Sequence, residues 1–231
     1  EQLPLARVEK VRENRRTAEI PQHFASVLRP YQEEAARFLI ERSGALLTLD
    51  PRLGKTLTSI SAGASLLLSG VADAIFVSYP AGVLEEWRSQ LKRWANLDLE
   101  ALATFTALDD QEVARLNAKP WLVLGCHHEL ISKREEDIHR VLNGRRFITI
   151  VDEIHGFKNR KAGRTQAMKR IGTADLISYD EDTGKRTMTG KCVARWGLSG
   201  TPMRNRPRDL FGVFDFIQPD SMGGYWTYAK R

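Results

Sequence analysis

The sequence predicts an α/β fold, a parallel sheet with helices on both faces, and three observations lead there. From Leu28 onward, short apolar runs alternate with amphipathic helical stretches, the pattern of strands joined by crossover helices. Ala45-Leu46-Leu47-Thr48-Leu49 leads into Asp50-Pro51-Arg52-Leu53-Gly54-Lys55-Thr56, a strand followed by a glycine turn at the start of a helix. Phe147-Ile148-Thr149-Ile150-Val151 ends in Asp152-Glu153-Ile154-His155, an apolar strand closed by two carboxylates and an imidazole. Ligands in such folds bind beyond the carboxyl ends of the strands, and both motifs fall there.

Taken in order, residues 1–25 are charged and aperiodic and read as an N-terminal extension, leaving 26–231 as the domain. After the first strand, residues 55–69 form a helix, 74–79 a strand, and 83–95 a helix with Leu84, Trp87, Leu91 and Trp94 on one face. Strands are expected at 101–105, 121–124, 147–151 and 193–198. The segment 175–191 breaks the rhythm and reads as an inserted β-hairpin, with Leu176-Ile177-Ser178-Tyr179 and Lys185-Arg186-Thr187-Met188-Thr189 around an acidic turn that ends in Gly184. The acids of that turn lack the later ligands of a calcium loop.

Composition narrows the function classes. With 231 residues, 42% of them hydrophobic, the chain can bury a sizeable core. No apolar run approaches the ~18–20 residues that span a bilayer, so no membrane partner is expected. Two cysteines, Cys126 and Cys192, make no disulfide framework, and an intracellular, cytoplasmic or DNA-associated location is the expectation. The chain opens Glu-Gln-Leu-Pro without an initiator Met, as a trimmed polypeptide would. A net charge of +6 raises the odds of a polyanionic partner. Lys158, Arg160, Lys161, Arg164, Lys169 and Arg170 follow the acidic strand end, and Arg204, Arg206 and Arg208 follow the last strand. Without the motifs, a solvated basic helix face explains them equally well.

The two strand-end motifs complement each other chemically. Backbone N–H groups of a glycine turn that opens a helix point at phosphate, and the helix dipole favours negative charge there. Lys55 would reach the β and γ phosphates and the Thr56 hydroxyl would ligate Mg²⁺. Asp152 would hold the same Mg²⁺, while Glu153 would orient and deprotonate a water. His155 lies too far along for that metal and is expected to bond a neighbouring strand end. The general phosphate-loop pattern asks for glycine where Leu49 stands, and a small residue would be easier at Arg52. Gly125-Cys126-His127-His128 raises the possibility of zinc, but three adjacent side chains converge poorly on one tetrahedral ion.

Leu28-Arg29-Pro30-Tyr31-Gln32, Leu53-Gly54-Lys55-Thr56, Asp152-Glu153-Ile154-His155 with Lys158-Asn159, and Leu198-Ser199-Gly200-Thr201-Pro202 together resemble the ordered motifs of superfamily 2 helicases. The nearest group is the SWI/SNF-like double-stranded DNA translocases, which Tyr79-Pro80-Ala81 with Glu86-Trp87 and Asp215-Phe216-Ile217-Gln218-Pro219 also resemble. The resemblance implies a RecA-like, P-loop NTPase lobe that uses ATP and Mg²⁺. It implies an ATP site of Arg29, Tyr31, Gln32, Leu53, Gly54, Lys55, Thr56 and Leu57, with Gln32 on the adenine edge. Ser199, Gly200 and Thr201 would couple ATP state to nucleic-acid grip. Pro80, Ala81, Lys158, Asn159, Arg160 and Lys161 would face the nucleic acid, expected to be double-stranded DNA. In such motors a second RecA-like lobe of the same polypeptide supplies arginines to the γ-phosphate, and Arg231 falls about where that lobe should begin. A DExH RNA helicase, a restriction-type translocase and a non-catalytic nucleic-acid-binding lobe are the alternatives. Arg52 departs from the group, which usually has glycine there.

Overall fold

The computed structural model describes residues 18–173, 175–179, 186–201, 209–219, 221–223, 225 and 228, and for 175–179 and 186–190 the backbone alone. The elements run α1 (Gln22–Ala25), α2 (Pro30–Glu41), β1 (Gly44–Leu47), α3 (Lys55–Leu68), β2 (Ala74–Tyr79), α4 (Leu84–Ala95) and β3 (Leu99–Leu102). They continue as α5 (Asp110–Asn117), β4 (Leu122–His127), α6 (Ile131–Leu142), β5 (Arg146–Val151), a 3₁₀ turn (Ile154–Phe157), α7 (Gly163–Thr173), β6 (Asp175–Tyr179), β7 (Arg186–Leu198) and α8 (Leu210–Ile217).

Six strands pair in parallel in the order β1-β7-β5-β2-β4-β3. Both faces of this sheet are covered. Along β2, Ile75, Val77 and Tyr79 pack into the core shared with α2, α3 and α4, while Ala74 and Phe76 point into the opposite core, as the two-residue period of a strand requires. All six β2 residues are therefore buried, which explains why the strand reads as a continuous apolar run. Helix α3 lies so deep that ten of its fourteen residues are buried. Its serines are tolerated because Ser59, Ser61 and Ser65 donate to the carbonyls of Thr56, Thr58 and Ser61.

Several sequence expectations shift here. Residues 18–25, expected to belong to an extension over 1–25, contribute to the core, where Ala18, Ile20 and Phe24 are buried, Phe24 fully. The surrounding charges had hidden that short apolar pattern. The β1 strand ends at Leu47 rather than Leu49, since the Leu49 and Asp50 carbonyls turn toward the Lys55 ammonium. The β3 strand spans Leu99–Leu102, not 101–105: Leu99 and Leu102 are buried whereas Phe105 is 69% exposed. The β4 strand runs on through Gly125-Cys126-His127.

The hairpin is built differently from a simple insertion. The β6 strand pairs antiparallel with β7, and β7 is one thirteen-residue strand that continues into the parallel sheet. Lys191 pairs with Arg146 of β5 on one side and with Asp175 of β6 on the other. The β6 strand thus takes the edge of β7 that β1 occupies further along. The acidic turn lies outside the described residues. The hairpin stands at the amino end of β7, opposite the strand ends that carry the motifs. No helix among the described residues is long and apolar enough to cross a membrane.

Candidate nucleotide site at the strand ends

The sheet order places β7 between the strand before the phosphate loop and the strand before the acidic motif. Three carboxyl ends therefore meet: Leu47, Leu198 and Val151.

The phosphate loop turns through two left-handed residues, Arg52 at φ 68° and Gly54 at φ 81°. A Cβ at Gly54 would collide with Gln32 Nε2, so position 54 needs glycine for its backbone and for its neighbour. Gly54 caps the start of α3, and its carbonyl accepts from both the N–H and the hydroxyl of Thr58. The first-turn N–H groups of α3 have no intrahelical acceptor and face the loop. Lys55 folds onto this loop, donating to the Leu49 carbonyl at 3.0 Å and the Asp50 carbonyl at 3.4 Å. Thr56 and Leu57 follow in the same turn, both half-buried.

Gln32 is buried against the same loop. Its Nε2 donates to the Leu53 carbonyl at 3.0 Å, and its Oε1 accepts from the Arg29 N–H at 2.9 Å. The Tyr31 hydroxyl donates to the same Leu53 carbonyl at 3.3 Å. The first turn of α2, opened by Pro30, is thereby bonded to the phosphate loop. Together the two Gln32 contacts use one hydrogen and one lone pair of its amide, leaving one of each.

At the end of β5, Asp152 Oδ1 accepts from the Glu153 N–H and Oδ2 accepts from the Trp87 indole N–H, both at 3.0 Å. Burial pushes the Asp152 carboxyl above its ordinary range, and the Trp87 bond pulls it partly back. The Glu153 charge raises it further, while the Lys55 ammonium lowers it. Glu153 adopts a left-handed conformation at φ 46°, which turns its side chain toward β7. There the Ser199 hydroxyl donates to Glu153 Oε2 at 3.3 Å and accepts from the Thr201 N–H at 3.1 Å. His155 Nδ1 stands 3.1 Å from Glu153 Oε2 and 3.3 Å from Ser199 Oγ. Gly200 packs on Pro51, where a Cβ would come within 3.1 Å of the ring. Glu153, His155 and Ser199 form one hydrogen-bonded group, and Gly200 seats it against the phosphate loop.

Two residues outside the motif were legible only as something else. His128, weighed as a zinc ligand, donates from Nε2 to the Asp152 carbonyl at 2.9 Å, and its Nδ1 accepts from the Ser78 hydroxyl at 2.6 Å. The carbonyl acceptor assigns the proton to Nε2. Burial pushes the imidazole down to about 4, so it is neutral near pH 7. His127 instead meets Tyr79 edge-on and Cys126 enters the opposite core, so the three side chains diverge. Trp87 reads in sequence as one member of an apolar helix face; only its indole N–H, an atom with no periodic signal, reveals the contact with Asp152.

The basic segment after His155 is more engaged than its charge implies. Lys158 pairs with Asp209, Lys169 with Asp215 and Arg170 with Glu135, at 3.2, 2.8 and 2.6 Å. Arg164 donates to the Gly156 carbonyl, and Arg160 stacks on the Tyr225 ring. Asn159 Oδ1 accepts from the Lys161 N–H. Among the described residues no ion pair reaches the exposed Lys161 side chain. Arg204, Arg206 and Arg208 lie outside the described residues. Pro80 and Ala81 form the turn after β2, with Ala81 exposed.

Residues 31–177 match the model of the SNF2-related domain. The chain belongs to that family. The SNF2-related chain is 27% identical over 225 residues to the DNA repair and recombination protein RAD54B of Gallus gallus, covering 90% of this chain and 22% of that protein. It is 25% identical over 214 residues to the DNA annealing helicase and endonuclease ZRANB3 of Mus musculus, covering 92% and 18%. Among solved structures, the Sulfolobus solfataricus SWI2/SNF2 ATPase core in complex with dsDNA superposes with a TM-score of 0.63 at 20% identity, covering 88% of this chain and 38% of that one. The fold is that of the RecA-like lobe of a SWI2/SNF2 ATPase core, and the SNF2-related chain spans about a fifth of the curated relatives it matches.

Proposed function

We propose that this chain is the ATP-binding lobe of a DNA-dependent translocase, coupling Mg²⁺-ATP hydrolysis to movement along double-stranded DNA. The observation that carries the reading is the contact of Glu153 with Ser199 and His155, one strand away from a phosphate loop. A glutamate held by a neighbouring motif in this way can aim a water and sense the state of that motif. A glutamate placed only to favour a helix dipole needs neither partner.

The donor set fits Mg²⁺. Thr56 offers a hydroxyl and Asp152 a carboxylate, both hard oxygen ligands of the kind Mg²⁺ prefers. Mg²⁺, when bound, neutralises charge on the phosphates and orients them. The N–H groups at the start of α3 would cradle the phosphates, and Lys55 would exchange its loop carbonyls for phosphate oxygens. Gln32 would use its remaining amide hydrogen and lone pair on the adenine edge. Glu153 would accept the proton of the attacking water through its carboxylate, with Ser199 and His155 fixing its orientation. Pro80 and Ala81, with Lys161, would meet the DNA backbone, making binding salt-dependent and nearly sequence-independent. A second RecA-like lobe of the same polypeptide would complete the site with arginines.

The test is ATP turnover by the complete protein with duplex DNA, single strands or RNA. The reading requires the strongest stimulation by duplex DNA, loss of ATP binding in Lys55→Ala, and retained binding without turnover in Glu153→Gln. Unchanged DNA-dependent activity in Glu153→Gln would sink it, and stronger stimulation by RNA would favour the RNA helicase alternative.

A further inference from the structure

Trp87, on α4, is 1% exposed and lies in the apolar core that α4 shares with α3. An indole buried there must find an acceptor for its N–H. Its partner is not one of the nearby main-chain carbonyls but Oδ2 of Asp152, at 3.0 Å. The other oxygen of that carboxylate is held by the Glu153 N–H at 3.0 Å. With one donor on each oxygen, the plane of the carboxylate is set before any ligand arrives. The main chain of Asp152 is held as well, since its N–H donates to the Ser78 carbonyl at 2.8 Å and its carbonyl accepts from His128. Of these restraints, the indole alone comes from a helix; the others come from β2, from the turn after β4 and from the motif itself.

Its position on that helix matters. The β2 strand ends at Tyr79, the turn 80–83 follows, and Trp87 sits in the first turn of α4, its main-chain N–H bonded to the Val83 carbonyl at 3.1 Å. Any displacement of that turn moves the indole directly. The turn contains Pro80, exposed Ala81 and exposed Gly82, the stretch assigned above to the DNA backbone.

We propose that Trp87 is a positioning residue for the metal-binding carboxylate of Asp152, and that it transmits the state of the 80–83 turn to that carboxylate. The inference rests on the nucleotide reading above and adds to it a residue and a route. Metal ligands owe much of their affinity to the groups that orient them, and removing such a group typically weakens metal binding by about 10- to 100-fold. Trp87→Phe keeps the ring and loses the N–H.

The test follows fluorescent ADP binding to the complete protein across a Mg²⁺ titration, with and without duplex DNA. Trp87→Phe is expected to raise the Mg²⁺ midpoint by about 10-fold, with nucleotide affinity in EDTA unchanged. In wild type, duplex DNA should shift the midpoint, and in Trp87→Phe that shift should shrink or vanish. Because Trp87 acts through Asp152, adding Trp87→Phe to Asp152→Ala should move the midpoint no further. An unchanged midpoint overturns the proposal, as does an equal loss of affinity with and without Mg²⁺, which is what general loosening of the fold would produce. Should Trp87→Phe fail to fold, the wild-type protein still decides. The indole N–H resonance bonded to Asp152 should shift when Mg²⁺ joins the nucleotide, and an unmoved set of indole signals overturns the proposal. Wild-type protein that binds no nucleotide at saturating Mg²⁺ overturns the nucleotide reading itself.

Discussion

The Ser199 hydroxyl donates to Glu153 Oε2 across 3.3 Å, joining the ends of β7 and β5. Ser199 Oγ in turn accepts from the Thr201 N–H and lies beside His155, so one hydroxyl ties together three residues of two motifs. Ser199→Ala should leave ATP binding intact while lowering DNA-stimulated turnover by about 10-fold, the kinetic equivalent of roughly one hydrogen bond. Parallel measurement of nucleotide Kd and kcat checks it; a rise in Kd with unchanged kcat would contradict the orienting role.

Gly54 cannot be replaced without moving Gln32. Gly54→Ala combines a left-handed backbone with a Cβ aimed at the Gln32 amide, and should cost at least 1–2 kcal/mol from the backbone alone. Urea unfolding reads the stability loss, and nucleotide titration should show lost binding, because displacing Gln32 breaks its bond to the Leu53 carbonyl of the phosphate loop.

Arg52 is a different case. Its φ of 68° costs an L-residue about 1 kcal/mol, whereas Arg52→Gly would loosen the unfolded chain by about 0.5–1 kcal/mol. The two effects nearly cancel, so Arg52→Gly should alter stability by less than about 0.5 kcal/mol. A change in turnover rate without a change in melting temperature would then report the loop's own mobility.

Phe24 tests where the domain begins. A fully buried aromatic in the core should cost about 3–5 kcal/mol on truncation to alanine. A near-neutral Phe24→Ala in chemical denaturation would return residues 18–25 to the status of an extension.

Asp73 gives the fold a pH dependence away from the site. Burial raises its pKa, but the side-chain and main-chain bonds from Arg146, at 2.7–3.1 Å, lower it more, leaving it below the usual carboxylate value. A depressed folded pKa means stability present above about pH 4 and lost as pH falls through the folded value. The pair is about one-third exposed, so screening limits the effect of Asp73→Asn to about 0.5–1 kcal/mol at pH 7. Denaturation curves of the two proteins should converge once pH has fallen through that lowered value.

What sequence could show followed from period and punctuation. The β2 and β5 strands and the α3 helix stand close to where apolar runs and a glycine turn place them. The placement of Lys55, Thr56, Asp152 and Glu153 at strand ends is legible because their spacing from the apolar runs is itself the signal. Edge strand β3 was misplaced because Phe105 looks like a strand residue and is instead exposed beside Lys133. The basic segment looked like an open patch because its acidic partners, Glu135, Asp209 and Asp215, lie far from it in sequence. Trp87 and His128 were obscured for a related reason: single N–H groups decide their contacts, and residue type does not record where an N–H points.

The continuity of β7 has a mechanical consequence. Thirteen residues of extended backbone cover about 40 Å at roughly 3.3 Å each, from the hairpin at one end of the sheet to Ser199 at the other. A strand clamped between β1 and β5 resists bending but transmits tension along its length. A partner that gripped the hairpin would therefore pull on a strut anchored beside Glu153, addressing the nucleotide from the far side of the lobe without touching it.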